Sequence, residues 1–159
     1  MADITSLSLA QIAHAVAQRA LSAEAVTRAY AARIAEAEPE LHAWQHFDAE
    51  HALDQARALD RAGGHGPLQG VPIGVKDLID TVDQPTTYGS PIYAQHQPTL
   101  DAACVAACRE AGALVMGKTV TTEFATFQPG PTRNPRSSVQ AHHTPLREHV
   151  AVVRDGQGL

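Results

Sequence analysis

Between Gly66 and Asp80 the chain reads GPLQGVPIGVKDLID, in which Val71, Ile73 and Val75 alternate with Pro72 and Gly74. An apolar period of two bounded by glycines and a proline predicts a short, largely buried β-strand. A second apolar run, Ala113 to Met116, predicts another buried strand. The segments around them read as helices. Ser8 is placed to cap one running to about Arg19, and Ser22 one running to about Glu38. In the second, Val26, Tyr30 and Ile34 recur at helical spacing, and Pro39 is expected to end it. A short strand is expected around Trp44 within Leu41 to Phe47, then a helix capped by Asp48 through Leu59 and closed by Gly63 and Gly64. After a turn-rich passage from Asp83 to Pro98, Thr99 opens a helix to about Glu110. Helices alternating with short apolar strands argue for an α/β fold, a sheet with helices on its faces.

Lys76 ends the first strand. A lysine with its stem in apolar surroundings has its neutral amine favoured, which suits proton transfer near neutral pH. A snorkelling lysine with its charge in water is the ordinary alternative. Asp77, next to it, is expected to hold a turn or pair with a basic residue. Ser90, in TTYGSP, sits in a turn where a hydroxyl commonly satisfies backbone groups.

Taken with QPTTYGSP, the segment GVPIGVKDLIDT resembles the amidase signature family, whose members cleave or transfer amide bonds with a Ser-cisSer-Lys triad. AGALVMGKTVTTEFA (Ala111 to Ala125) and GPTRNP (Gly130 to Pro135) follow in that family's order and approximate spacing. LSAEAVTRAYAARIAEAEPELHAW and ALDQARALD extend the likeness toward the N-terminus, so that it runs from about Leu7 to Pro135. The resemblance implies the N-terminal part of an α/β/α fold, a mixed sheet covered by helices, and makes Lys76 the catalytic lysine. Lys76 would then act as general base through the cis-serine, while a second serine attacks the amide carbonyl of a small-molecule substrate. Burial against Val71, Ile73 and Val75 is expected to keep its amine neutral.

The likeness ends after Pro135. The family carries its cis-serine in a GGSSGGS-type loop after a Thr-Pro like Thr144-Pro145, and its nucleophile further on. Here LREHVAVVRDGQGL follows Pro145 and holds no serine. Ser137 and Ser138 are adjacent but lack the flanking glycines that a tight, substrate-approaching loop needs. The reading is therefore residues 1–135 as the N-terminal portion of an amidase domain, and 136–159 as a divergent or frameshifted tail, poorly ordered. On this reading the chain is cut short before both serines and inactive alone. A noncatalytic binding or regulatory fragment is the alternative.

GALVMGKT, Gly112 to Thr119, matches the phosphate-cradling pattern GxxxxGK[ST]. That cradle needs a strand before the first glycine and a loop after it, whereas a helix precedes Gly112 and an apolar run follows. Nucleotide binding is the least favoured reading. The nine histidines show no zinc spacing: His142 and His143 are adjacent, His46 and His51 five apart, and His14 has no partner at i+4. They are expected at the surface, with no metal and no cofactor. Cys104 and Cys108 are expected on one buried helical face.

A net charge of −5 gives no basic field for nucleic acid, although a tRNA-dependent amidotransferase subunit is left open. Neither a bilayer-length apolar run nor a secretory pattern is present, so cytoplasmic residence without membrane attachment is expected.

Overall fold

Each of the first three helices begins where a side chain answers its free N–H groups. The computed structural model describes residues 3–63, 66–126, 128–134 and 150–151. In it α1 spans Leu9–Ala17, and Ser8 and Gln11 form a reciprocal capping box. Helix α2, Ala23–Leu41, starts on Ser22, whose hydroxyl accepts from the Ala25 N–H at 3.0 Å. Helix α3, Ala49–Ala62, starts on Asp48, which accepts from the N–H groups of Glu50 and His51. The Asp60 carboxylate near the end of α3 accepts from the N–H groups of Ala23 and Glu24, so it ties α3 to the start of α2.

Among the described residues, four strands form one mixed sheet in the order β1–β3–β2–β4. They are β1 (Trp44–Phe47), β2 (Pro72–Lys76), β3 (Leu114–Thr119) and β4 (Val150–Ala151). Strands β2 and β3 are parallel, and β1 and β4 flank them antiparallel. The crossover between the parallel pair contains α4, Ala103–Glu110. Residues of both parities in β2 are buried up to Val75, the pattern of a strand covered on both faces. Val71, Ile73, Val75, Leu114, Val115 and Met116 pack in one core with Val26, Tyr30 and Ile34 of α2 and Ala52 and Ala56 of α3. Gly117 is the tight point of the sheet: a Cβ there would stand 2.4 Å from the His46 carbonyl oxygen and 3.0 Å from the Trp44 ring.

Several boundaries differ from the sequence expectations, each for a local reason. Helix α2 continues through Pro39 to Leu41. Pro39 falls in the last turn, where one missing hydrogen bond is tolerated. His42 closes the turn by donating to the Glu38 carbonyl, and the Glu38 carboxylate accepts from the N–H groups of Ala43 and Trp44. Helix α4 starts at Ala103 rather than Thr99, because Asp101 is engaged elsewhere: its carboxylate accepts from the Val82 N–H at 2.8 Å and pairs with Arg109 at 3.0 Å. Cys104 is exposed, since the buried stripe of α4 passes through Val105, with Cys108 partly covered. Strand β3 extends three residues past Met116, through Gly117, Lys118 and Thr119.

Candidate active site at the carboxyl edge of the parallel strands

In an open sheet the carboxyl ends of parallel strands are where loops converge and ligands commonly sit. Here that edge is formed by Lys76, ending β2, and Thr119, ending β3, which are partners in the ladder. Lys76 is half-buried, and among the described residues its side chain makes no hydrogen bond or ion pair. Strand alternation corrects the expected source of its burial. Val71, Ile73 and Val75 have the opposite parity, so they line the other face and cannot shield the Lys76 amine.

The buried amine belongs to Lys118. It is fully enclosed, in register with Val75, and therefore on the face opposite Lys76. Its ammonium donates to the Thr86 hydroxyl and the Pro85 carbonyl and lies 3.5 Å from Asp77. Burial pulls the Lys118 pKa below its usual value, and the Asp77 carboxylate works against that pull. Asp77 is equally enclosed and accepts from both the N–H and the hydroxyl of Thr87. Asp77 thus pairs with a basic residue, as expected, but Lys118 was not foreseen as that residue. A signal was available: PIGVK and LVMGK both end an apolar run in lysine.

Two loops close over this edge. Tyr88 lies at φ 53°, and its carbonyl accepts from the Phe124 N–H at 2.9 Å. Gly89, at φ +68°, lets the loops touch, since a Cβ would come within 3.0 Å of the Thr122 backbone. The Tyr88 hydroxyl donates to Asp80 at 2.7 Å, and its pKa is pushed up to about 12, first by desolvation and then by that carboxylate. Ser90 behaves as expected, its hydroxyl accepting from the Ile92 N–H. A cavity of about 180 Å³ beside this turn is lined by Gln45, Thr87, Gly89, Ser90, Pro91 and Ala94. A larger one, about 990 Å³, lies among helix ends around Arg19, Asp60 and Gly63 and takes no residue from the strand edge.

The GKT triplet lies inside β3 and its N–H groups face neighbouring strands, so Gly112 to Thr119 forms no phosphate cradle. His51 is less free than expected, with Nε2 3.1 Å from Asp83, which also pairs with Arg109 at 2.6 Å. Among the described residues no three His, Cys, Asp or Glu side chains converge as metal ligands, and no helix is long and apolar enough to cross a membrane. Ser137 and Ser138 lie outside the described residues.

The profile of the Amidase family matches residues 25–141. A glutamyl-tRNA(Gln) amidotransferase subunit of Salinispora arenicola is 46% identical over 147 residues, covering 85% of this chain and 30% of that protein. The same amidotransferase subunit of Nitratidesulfovibrio vulgaris is 43% identical over 99% of this chain and 34% of its own length. Among solved structures, the peptide amidase PAM in complex with the competitive inhibitor chymostatin superposes with a TM-score of 0.74 at 32% identity, over 82% of this chain and 30% of that one. The chain thus spans about a third of the length of these proteins.

Proposed function

Because the chain belongs to the amidase family, we propose that it supplies the lysine-bearing portion of a Ser-cisSer-Lys centre acting on carboxamides. One observation carries the reading: Lys76 stands at the carboxyl end of β2, in the parallel pair, with an amine that no described residue engages. An amine so placed can exchange a proton with a hydroxyl brought to the same edge, whereas an ion-paired amine is held in its charged form. As the nucleophilic serine oxygen bonds to the amide carbon, its proton passes to the cis-serine, whose own proton passes to Lys76. The proton returns by the same route to the leaving nitrogen as the C–N bond breaks and the acyl-serine forms. The two serines and the N–H groups that stabilise the oxyanion come from outside residues 1–135. A chain that supplies only the lysine of this centre is expected not to turn over amides by itself.

The identities favour amide transfer, the activity for which the amidotransferase relatives are named, over hydrolysis of peptide amides: 46% against 32%. With a net charge of −5, a tRNA substrate would be held by a partner protein rather than by this chain. The test is turnover of glutamine and of a simple carboxamide by the isolated chain, together with labelling by a serine-directed fluorophosphonate. Neither turnover nor labelling is expected. Turnover that disappears on Lys76→Ala would show that the chain completes the site unaided.

The same scaffold also supports a second reading, a noncatalytic binding fragment. Ile92 is 79% exposed and precedes Tyr93, whose ring meets that of Phe124 edge-on at 5.9 Å. Such a patch suits protein contact. Self-association in sedimentation, lost on Ile92→Ser, would favour it over the catalytic reading.

A further inference from the structure

The chain has only two lysines: Lys76 ends β2, and Lys118 is the last residue but one of the neighbouring parallel strand β3, on the opposite face of the sheet. We propose that Lys118 is a positioning residue for Lys76: by holding the Asp77 carboxylate on the far face, it keeps Lys76 free of a carboxylate partner. The proposal rests on the reading of Lys76 as a proton-transfer group, although its test needs no substrate.

Asp77 is covalently next to Lys76 and is the carboxylate nearest to it along the chain. Left unpaired, it would stabilise the Lys76 ammonium, the form that cannot accept a proton. The structure removes it in two ways. Alternation turns its side chain to the Lys118 face, and the Asp77 N–H, donating to the Thr119 carbonyl at 2.9 Å, extends the ladder that sets this direction. The carboxylate is then consumed by Thr87 and Lys118. Lys118 is equally spent, since its three N–H donors face Asp77, Thr86 and Pro85.

The surrounding charges are also engaged. The field at Lys118 includes Asp80 and Asp83 from the turn after β2. Asp80 accepts from the Tyr88 hydroxyl, while Asp83 pairs with His51 of α3 and Arg109 of α4. From β1, His46 stands in register with Lys118. Removing the Lys118 charge therefore leaves Asp77 without the cation it pairs with, while the partners of Asp80 and Asp83 are unchanged.

Competitive acetylation with acetic anhydride across a pH series, read by mass spectrometry, follows both amines separately. In the native chain Lys76 is expected to react and Lys118 to be protected. In Lys118→Met the pH midpoint for Lys76 rises on the order of one unit, from the freed charge of Asp77. In Asp77→Asn it does not rise, because no carboxylate is freed, and the double variant returns toward the native value. A loosened strand would move both single variants the same way, and that result overturns the proposal. If Lys118→Met does not fold, the near-isosteric Asp77→Asn still decides, since a midpoint that rises without that carboxylate overturns the proposal. Acetylation of Lys118 as fast as Lys76 in the native chain overturns it as well. An expected pattern beside a catalytically dispensable Lys76 would leave the charge arrangement standing and remove only the functional reading.

Discussion

Lys118 and Asp77 are both fully enclosed, and each offsets the other's charge. Removing one partner of such a pair costs about 3–5 kcal/mol, whereas replacing both with apolar groups of similar volume is often nearly neutral. Lys118→Met is therefore expected to lower the urea midpoint sharply. Lys118→Met combined with Asp77→Leu should recover much of the loss, and additive losses in the cycle would argue against the pair. Alkaline pH separates two other contributions. The folded pKa of Lys118 lies below 10.5, so the unfolded chain binds more protons across that window and stability rises with pH up to 10.5. Tyr88 has the opposite sign: its pKa is raised from 10.0 to about 12, so its contribution is complete below 10 and is lost toward 12. Denaturant titrations across that range should show Tyr88→Phe losing less stability than the native chain, and equal losses would contradict this. At this scale Lys76 was legible in its place at a strand end, because the strand is patterned. Its burial was misassigned because parity along the strand was overlooked. Lys118 was hidden because its acceptors lie 32 to 41 residues away, in Pro85, Thr86 and Asp77, and only folding brings them together.

The helices and strands were largely readable from the sequence, because caps and periods are local properties. Ser8, Ser22 and Asp48 cap helices where their side chains reach the next turn, and all three do so in the fold. Boundaries set by distant contacts were not readable. Thr99 looks like a helix start until Asp101 is seen bound to Val82 and Arg109. Strand β3 looked as if it ended at Met116, but the ladder with β1 and β2 carries it on to Thr119. Gly117 makes that extension possible by admitting the β1 backbone. Gly117→Val should therefore separate β1 from β3 and speed amide hydrogen exchange at Trp44 to Phe47, while leaving α2 protected. Unchanged exchange in β1 would show that the close approach is not required. In the core, Leu114→Ala should cost about 2–5 kcal/mol in chemical denaturation.

For the molecule as a whole, the fold class and family follow from several motif blocks in one order, and the superposition on PAM agrees with them. The sheet is mixed and helix-covered, with Lys76 at the edge where loops from both parallel strands meet. The substrate was not legible, and the chain spans about a third of the length of the relatives it matches. The central claim is that Lys76 can serve as the lysine of a complete amidase centre. A chimera tests it most directly: the matching N-terminal segment of the peptide amidase PAM is replaced by residues 7–134 of this chain, and carboxamide turnover is measured. The account predicts an active chimera that loses at least about 10³-fold in kcat on Lys76→Ala while keeping its fold. An active chimera indifferent to Lys76→Ala would contradict it.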